Sequence, residues 1–538
     1  MSNDLFDRLV KAGGSALHCW TGTGFDRTPW PDVVREAEAM TAGLRRRGVR
    51  PGTRVATVLT NTPTAVRGLL AVWLAGGVVA SLPAPARGMR PEEYVRVLGT
   101  ICAQLGPELF VVDEAMLGVV PAEWPAHPWE SFVDSGRVAP EPPGPDELAF
   151  VQYSSGSTSA PKGCMLTPRA IAAQLDLVME MLDGRPGRET AVSWLPLSHD
   201  MGVFGCLLTP WANDFELYLS TPERFAFAPR TWFGDLAEFG GTMTAGTNTA
   251  LYLAARAYAG RSRLTRELNV RSCIVGAERV EWDTLRFTAE TFAPYGFTPR
   301  SLMPAYGLAE ATLAVTATPA AAEPRHLVVD AIALADGELN EVDAADESAT
   351  RVVAAGTPCR GVELAVSEQL GEIGVRSPSL ASGYLADPAR TAEKFAGGTL
   401  RTGDLGFLRD GWLYPVGRTD DVISVAGRKV YAREIETAVD TLDGVRRGCS
   451  TLVAAGRTLT LFVELRRGLA DYRPLAEEAA SVAMAKAAVA LDECVFLRHN
   501  SLPKTPSGKI QRHRCRQLLD AGRFEPLATV NLVGGEVR

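Results

Sequence analysis

The sequence lacks paired cysteines and an excess of positive charge, and each absence excludes a class of protein. Its nine cysteines stand singly, with no Cys-x-x-Cys pair, so neither a disulfide framework nor a zinc site is predicted. Asp and Glu number 63 against 55 Lys and Arg, and a net charge of -8 argues against a nucleic-acid-binding protein. The remaining composition, 46% apolar and 22% charged over 538 residues, is that of a globular protein with several domains.

The chain also has little that would direct it into or across a membrane. One uncharged run of 18 residues, 69–86, approaches the length of a short span, but Gly76 and Gly77 divide it and Pro83 and Pro85 end it. It predicts a buried helix, a turn and a strand rather than a membrane span. The first eleven residues carry four charges and no apolar core, so we expect no secretory signal and a cytoplasmic protein.

Apolar runs rich in β-branched residues alternate with helical patterns, which is typical of βαβ units in an α/β protein with parallel sheets. From about 350 to 417, short strands separated by Gly and Pro predict a small β-rich subdomain. The last 118 residues carry 18 basic and 14 acidic side chains, a net charge of +4, against -12 for residues 1–420. We therefore predict an α/β fold with a large N-terminal domain over 1–417, built from two βαβ-type sheet subdomains and the β-rich one, and a separate C-terminal domain over 421–538.

A Gly- and hydroxyl-rich loop, residues 153–163 (YSSGSTSAPKG), follows an apolar strand and has the composition of a phosphate-binding loop. The glycine lets the backbone approach an anion, the hydroxyls donate hydrogen bonds and the lysine adds positive charge. It is not a Walker A loop, because Pro161 stands where that pattern has Gly. An ordinary surface loop is the alternative. The candidate phosphate-binding residues are Ser155, Gly156, Ser157, Thr158 and Lys162.

Four further segments, in this order, resemble motifs of the adenylate-forming enzymes, which include acyl-CoA synthetases, peptide-synthetase adenylation domains and luciferases. They are 194–202 (WLPLSHDMG), 305–312 (AYGLAEAT), 401–405 (RTGDL) leading to 417–421 (GRTDD), and 502–512 (LPKTPSGKIQR). The versions of these motifs are most similar to those of fatty acyl-AMP ligases. Residues 325–351 resemble the extra segment that these ligases carry in the large domain, with an ordinary variable loop as the alternative.

The resemblance implies attack of a carboxylate on the α-phosphorus of ATP, which gives an acyl-adenylate and pyrophosphate. The 155–162 loop would hold the β- and γ-phosphates, and the Glu310 carboxylate would help to bind Mg²⁺. Lys509 would be the catalytic residue, bridging the carboxylate and the α-phosphate in the transition state. The resemblance places the remaining nucleotide contacts at Gly276, Ala277 and Glu278 along the base and at Tyr306 on the adenine with Gly307 and Leu308. Asp404 would accept from the ribose hydroxyls, and Arg418 would reach the same ribose or a phosphate.

The same resemblance assigns an acyl pocket to Trp194, His199, Asp200, Met201, Gly202 and Thr247. His199 would lie at the mouth of the acyl channel, where a gating or positioning role fits better than a general base, because a carboxylate is already ionised at pH 7. Ser198, Thr247 and Lys429 depart from the pattern of long-chain ligases, which leaves a shorter, branched or polar acid open. The apolar tract 251–257 favours an alkyl chain.

By resemblance, residues 418–420 form a hinge centred on Asp420, about which a mobile α+β C-terminal domain rotates to present a second face that includes Lys429. The acyl group would then pass to the phosphopantetheine thiol of an acyl carrier protein. An acyl-CoA synthetase that uses free CoA is the nearest alternative, and a non-catalytic nucleotide or carrier-protein binder is a remote one. Structural readings also stay open for single residues: a salt bridge for Glu310, an Asx-turn for Asp404 and a buried side chain for His199.

Overall fold

The computed structural model describes residues 4–11, 13–85, 89, 91–120, 123–134, 136, 138–154, 161–260, 263–419, 422–425, 428–455, 458–504 and 510–533. The strands are β1 (Ala16–Trp20), β2 (Phe25–Pro29), β3 (Arg54–Thr57), β4 (Val78–Ser81), β5 (Leu109–Val112), β6 (Ala126–Pro128), β7 (Phe150–Ser154), β8 (Lys162–Leu166), β9 (Thr190–Ser193), β10 (Glu216–Leu219), β11 (Met243–Gly246), β12 (Ser272–Val275), β13 (Leu302–Gly307), β14 (Ala314–Ala317), β15 (His326–Asp330), β16 (Ala349–Val353), β17 (Thr357–Pro358), β18 (Glu363–Ala365), β19 (Gly371–Arg376), β20 (Leu400–Arg409), β21 (Trp412–Arg418), β22 (Val422–Val425), β23 (Arg428–Tyr431), β24 (Val445–Ala455), β25 (Thr458–Leu465), β26 (Glu493–Leu497) and β27 (Ala528–Asn531).

The α-helices are α1 (Asp4–Lys11), α2 (Trp30–Arg46), α3 (Pro63–Leu74), α4 (Pro91–Leu105), α5 (Pro168–Met181), α6 (Thr209–Ala212), α7 (Pro222–Phe227), α8 (Arg230–Phe239), α9 (Asn248–Tyr258), α10 (Trp282–Phe292), α11 (Ala331–Asp336), α12 (Pro388–Lys394), α13 (Ala432–Val439), α14 (Arg473–Ala487) and α15 (Arg512–Asp520). Several begin as their sequences predict, with a Thr side chain that caps the first turn ahead of a proline, as at Thr62, Thr167 and Thr221. A π-helical segment, Met201–Leu208, precedes α6.

Two large sheets with mainly parallel strands dominate the first 360 residues. One has six strands in the order β6-β5-β3-β4-β7-β8, and the other has nine in the order β17-β14-β13-β12-β11-β9-β10-β1-β2. Antiparallel pairing is confined to the ends of the sheets: β7 with β8 in the first, and β1 with β2, β13 with β14 and β14 with β17 in the second. The prediction of an α/β fold with two sheet subdomains is confirmed.

The uncharged run 69–86 is described up to residue 85, and that part lies in the core between the two sheets. It forms the end of α3, a turn at Gly76 with a φ of 87°, and β4, and its side chains from Leu69 to Ala80 are buried. Trp73 is fully buried and donates a hydrogen bond of 2.8 Å to the Ala149 carbonyl. Among the described residues no helix has both the length and the apolar character needed to cross a bilayer.

Two smaller antiparallel or mixed sheets complete the chain. The four-stranded sheet β18-β19-β20-β21 lies within the region where short strands were predicted, and a second four-stranded sheet, β24-β25-β26-β27, packs against α13, α14 and α15 in the C-terminal region. The strands β15 and β16 pair with each other and, with α11, form the segment 325–351. The domain boundaries at 417 and 421 stay predictions.

Candidate active site

Tyr306, Asp404 and Arg418 meet at the point where β13 approaches the β-rich sheet. Antiparallel pairing of β20 with β21 places Asp404 directly opposite Arg418. The Tyr306 hydroxyl donates a hydrogen bond of 2.6 Å to Asp404 Oδ2, and Arg418 Nε lies 3.1 Å from Oδ1. Burial and the Asp404 carboxylate raise the pKa of Tyr306 well above its usual range. The phenol therefore stays protonated and is the donor of this hydrogen bond. Both carboxylate oxygens are therefore oriented by the protein.

The strip that sequence reasoning assigned to the base follows β12 and borders the same cavity. Ala277 has a φ of 63°, a left-handed conformation that is strained for a residue with a side chain. Glu278 Oε1 accepts a hydrogen bond of 2.5 Å from the Thr249 backbone, which ties the strip to the first turn of α9. Gly276, Ala277, Glu278, Tyr306, Gly307, Leu308, Glu310, Lys162, Asp404 and Arg418 all line one cavity.

Glu310 and Lys162 both contact Tyr384, a residue that the sequence motifs did not single out. Tyr384 donates a hydrogen bond of 2.8 Å to Glu310 Oε1, and Lys162 Nζ stands 5.8 Å from the centre of the Tyr384 ring. Burial lowers the pKa of Lys162, while the Glu310 carboxylate opposes that shift. Tyr384 lies in none of the recognised sequence motifs, and its partner Glu310 is 74 positions away, so the sequence does not indicate their contact.

Glu310 suits a magnesium ion that is held jointly with phosphate. In the described chain its second oxygen accepts no hydrogen bond, and no group of three or more acidic, His or Cys side chains forms a closed metal cage. Mg²⁺ is commonly bound by one or two carboxylates together with substrate phosphates rather than by an all-protein site. The donor set therefore fits that cation.

The loop around His199 is held in place by buried amides. Asn61 Nδ2 donates to the carbonyls of Leu195 (2.9 Å) and Ser220 (2.8 Å), and its Oδ1 accepts from Leu197 N at 3.0 Å. Gln152 Nε2 donates to the Ser198 carbonyl at 3.1 Å. Asn61 lies just before α3 and outside every recognised sequence motif, so only its tertiary contacts reveal its role in holding this loop.

His199 itself faces the cavity beside an acidic neighbour. Its Nδ1 lies 2.5 Å from Asp200 Oδ1, and the same oxygen accepts a hydrogen bond of 2.7 Å from Met201 N at the start of the π-helical segment. An Nδ1–H donated to a carboxylate fixes the tautomer and orientation of an imidazole. His199, Asp200 and Met201 all line the cavity.

Three other residues predicted for the acyl pocket make stacking, capping or close-packing contacts. The Trp194 ring stacks on Phe225 with centroids 3.8 Å apart, and Thr247 accepts the Ala250 N–H at 3.2 Å as the N-cap of α9. A Cβ on Gly202 would approach the Pro196 carbonyl oxygen to 2.0 Å, so glycine is required by packing there. None of these three side-chain positions lies on the wall of the cavity.

Several predicted residues cannot be placed. Ser155, Gly156, Ser157, Thr158, Asp420 and Lys509 lie outside the described residues, and Lys429 is described only as backbone in β23.

The cavity has a volume of about 1010 Å³, and its lining extends from Tyr306, Asp404 and Glu310 to His199 and to an apolar region, here called the channel. This channel runs between α5, the π-helical segment and β11. Its apolar wall is formed by Val178, Met181, Leu182, Cys206, Phe215, Met243, Ala245, Ile274 and Leu313. Hydroxyl groups on the wall are already satisfied: Thr244 Oγ1 donates to the Val192 carbonyl and accepts from Trp232 Nε1, both at 2.7 Å.

The C-terminal region closes the other side of the cavity through side chains that contact the large domain. Glu434, on α13, is paired with Arg279, which follows the strip 276–278, and accepts a hydrogen bond from Thr350 of β16. Arg447 Nη2 lies 2.5 Å from Glu281 Oε2, and its guanidinium stands 4.3 Å from the centre of the Tyr252 ring on α9.

Comparison with known proteins agrees with this geometry. The family model described as "AMP-binding enzyme" matches residues 15–385, so the chain belongs to that family. It is 33% identical over 400 residues, 69% of this chain and 67% of the relative, to the medium-chain-fatty-acid–[acyl-carrier-protein] ligase JamA of Moorena producens. It is 28% identical to the long-chain-fatty-acid–AMP ligase FadD26 of Mycobacterium tuberculosis, with 93% of each chain covered.

The fold comparison extends over nearly the whole molecule. A structure from a study of fatty acyl-adenylate ligases from E. coli and L. pneumophila superposes with a TM-score of 0.89 at 27% identity, covering 96% of this chain and 98% of that one. The prediction of an AMP-binding ligase, made from the sequence motifs, is confirmed.

Proposed function

We propose that this enzyme uses ATP and Mg²⁺ to activate an alkyl carboxylic acid as an acyl-adenylate, with release of pyrophosphate, and then passes the acyl group to the phosphopantetheine thiol of an acyl carrier protein. One observation carries the first half of the proposal: a single cavity joins the Tyr306–Asp404–Arg418 cluster and Glu310 to an apolar channel that passes His199. The cavity can thus hold a nucleotide and an alkyl chain end to end, with the reacting carboxylate between them.

The reaction brings two anions together, so positioning and charge stabilisation are the main catalytic needs. Asp404 accepts hydrogen bonds from the ribose, and Lys162 faces the β- and γ-phosphates. Glu310 would help to hold Mg²⁺, which when bound would supply positive charge against that of the polyphosphate. Lys509 stabilises the charge that develops as the carboxylate oxygen bonds to the α-phosphorus and the bond to the pyrophosphate oxygen breaks. His199, fixed by Asp200, orients the acid.

The channel supports an alkyl chain as the substrate. Its wall is apolar, and the hydroxyls of Thr244 and Thr209 are used in hydrogen bonds of 2.7 and 2.8 Å to backbone carbonyls. A polar substituent on the acid would therefore lose its hydrogen bonds to water without finding new ones, which is unfavourable. The two relatives are named for medium-chain and long-chain acids, so chain length is a quantity to be measured.

The segment 325–351 supports a carrier protein rather than free CoA as the acceptor. Lys486 of α14 donates hydrogen bonds to the carbonyls of Glu347 (2.8 Å) and Ala349 (2.5 Å). Leu334 of α11 shares an apolar cluster with Tyr431 at the end of β23. The segment thus contacts the C-terminal region from two sides, which would restrict the domain rotation that CoA-dependent transfer needs.

The charge of the C-terminal region gives a second reason to propose a carrier protein as the acceptor. The C-terminal 118 residues carry a net charge of +4, and the basic side chains Arg433, Arg466 and Lys504 line the cavity on that side. Carrier proteins are typically acidic, and complementary charge speeds and orients association.

The proposal is tested by mass spectrometry of purified enzyme incubated with ATP, Mg²⁺ and straight-chain acids of four to sixteen carbons. Parallel reactions receive CoA, a phosphopantetheinylated carrier protein, or the same carrier protein without its prosthetic group as the control. We expect acyl-AMP in every productive reaction and an acyl mass increase only on the phosphopantetheinylated carrier. Rapid formation of acyl-CoA would replace the proposed acceptor, and the absence of acyl-AMP with every acid would overturn the proposal.

A further inference from the structure

Tyr384 connects the two charged residues of the phosphate end of the cavity. Its hydroxyl donates to Glu310 Oε1 at 2.8 Å, while its ring lies 5.8 Å below the Lys162 ammonium. No ion pair within 4.0 Å joins Lys162 to Glu310 in the part of the chain that the structure describes. The ring of Tyr384 therefore contacts the ammonium while its hydroxyl contacts the carboxylate, so each charged group has its own contact with this residue.

Three separate elements hold Tyr384 in this position. Its backbone forms an isolated bridge with Cys164 on β8, the strand that begins with Lys162. Its N–H donates to Thr391 Oγ1 on α12 at 2.9 Å, and Phe395 packs against its ring edge with centroids 5.6 Å apart. The side chain is only 4% exposed. A phenol is protonated at neutral pH, so the Tyr384 hydroxyl is the donor of its hydrogen bond to Glu310.

Glu310 is attached to the same region through its own backbone. The Ala381 N–H donates to the Glu310 carbonyl at 2.8 Å, three positions before Tyr384. The strand that carries Lys162, the turn that carries Glu310 and the segment that carries Tyr384 therefore form one hydrogen-bonded unit. A carboxylate whose first oxygen is fixed by a hydrogen bond presents its second oxygen in a defined direction.

We propose that Tyr384 is a positioning residue with two functions: its hydroxyl orients the Glu310 carboxylate toward the divalent cation, and its ring keeps Lys162 apart from Glu310 and free for the phosphates. This inference rests on the proposed function, because it takes Glu310 and Lys162 as the cation- and phosphate-binding groups. Cation–π attraction from the ring face holds the ammonium without neutralising it, and the hydrogen bond holds the carboxylate without occupying its second oxygen.

Two variants separate these functions. Tyr384→Phe keeps the ring and loses only the hydroxyl, whereas Tyr384→Leu loses both. Mn²⁺ binding to the enzyme, saturated with a non-hydrolysable ATP analogue, is followed by electron paramagnetic resonance, and binding of the analogue without metal is followed by calorimetry in EDTA. We expect Tyr384→Phe to weaken Mn²⁺ binding about tenfold or more, as the loss of supporting hydrogen bonds commonly does, and to leave metal-free nucleotide binding unchanged. Tyr384→Leu should weaken both.

Tyr258→Phe is the matched control, since its hydroxyl also donates a part-buried hydrogen bond of 2.8 Å, to the Arg230 carbonyl, and Tyr258 does not line the cavity. It should change thermal stability without changing Mn²⁺ affinity. Wild-type Mn²⁺ affinity in Tyr384→Phe would overturn the inference, as would an equal loss in Tyr258→Phe. If Tyr384→Leu fails to fold, the result with Tyr384→Phe decides. Failure of the proposed function has a different signature, namely that the wild-type enzyme itself forms no acyl-AMP.

Discussion

The hydroxyl of Tyr306 donates a hydrogen bond of 2.6 Å to Asp404, a residue 98 positions further along the chain. Arg418 lies 3.1 Å from the other oxygen of the same carboxylate. The carboxylate is thus oriented before any ligand arrives, and less conformational freedom is lost when a ribose binds to it. This relationship links β13 to the β-rich sheet, and all three residues line the cavity.

Asp404→Asn should weaken nucleotide binding. The change preserves shape but removes the charge that pairs with Arg418 and halves the number of acceptor oxygens. We expect the KM for ATP to rise about tenfold, equivalent to ~1.4 kcal/mol, with little change in the KM for the acid. Pyrophosphate release measured against ATP concentration checks this. Tyr306→Phe, which leaves the charge in place, should have a smaller effect, and an unchanged KM for ATP in Asp404→Asn would contradict the assignment.

Lys509→Ala should nearly abolish adenylation while leaving ATP binding largely intact. One well-placed group that stabilises transition-state charge contributes about 10²- to 10³-fold in rate. Pyrophosphate release and equilibrium ATP binding are the two measurements. Lys504→Ala is the control within the same motif, because Lys504 Nζ contacts the Gly448 carbonyl at 3.4 Å in the C-terminal region. Pyrophosphate release at the wild-type rate in Lys509→Ala would refute the catalytic role.

Glu434→Gln should loosen the C-terminal region. The side chain of Glu434 is 4% exposed and pairs with Arg279, so its neutralisation leaves a mostly buried guanidinium without a counter-ion. Breaking a buried pair from one side commonly costs about 3–5 kcal/mol. We expect faster proteolysis after residue 418 and the appearance of acyl-CoA when CoA is supplied. Arg286→Ala, which removes an exposed pair with Glu290, is the control and should change neither result.

Asn61→Asp should damage acid binding and stability together. The substitution replaces a donor of two hydrogen bonds with an oxygen that faces the carbonyls of Leu195 and Ser220. Leaving buried polar groups unsatisfied costs about 1–3 kcal/mol each, so thermal unfolding should occur several degrees lower and the KM for the acid should rise. Asn213→Asp loses a single donor, to the Thr209 carbonyl, and should lower stability alone. Equal effects of both changes on the KM would contradict the role given to Asn61.

Asp440 should make stability depend on pH. Burial raises the pKa of its carboxyl to about 7, against the opposing effects of Ser450, Gly448 and Arg433, while Glu436 raises it further. Because the pKa is higher in the folded state, the stabilisation is complete below the unfolded value near 3.8 and is lost as the pH rises through 7. Asp440→Asn should therefore raise the unfolding temperature at pH 8 relative to the wild type and have little effect at pH 4. Parallel unfolding curves of both proteins at all pH values would show that Asp440 does not titrate there.

Sequence reasoning was most successful where the signal is local. The run 69–86 folds as the predicted helix, turn and strand because glycine and proline act on their own neighbours. The motifs around Tyr306, Glu310 and Asp404 were recognised because each occupies only a few consecutive residues. Trp194 and Gly202 lie in such a motif too, and the structure uses them for stacking and close packing, as it uses Thr247, outside the motifs, for helix capping.

The sequence by itself determined the family and the α/β class, since periodicity and short motifs are written in neighbouring positions. Only the tertiary structure decided that Tyr384 supports Glu310, that Asn61 holds the His199 loop, and that Glu434 joins the nucleotide strip to the segment 325–351. These contacts join residues 74 to 155 positions apart. They follow from which strands become neighbours in the sheets, and packing of the whole chain sets that order.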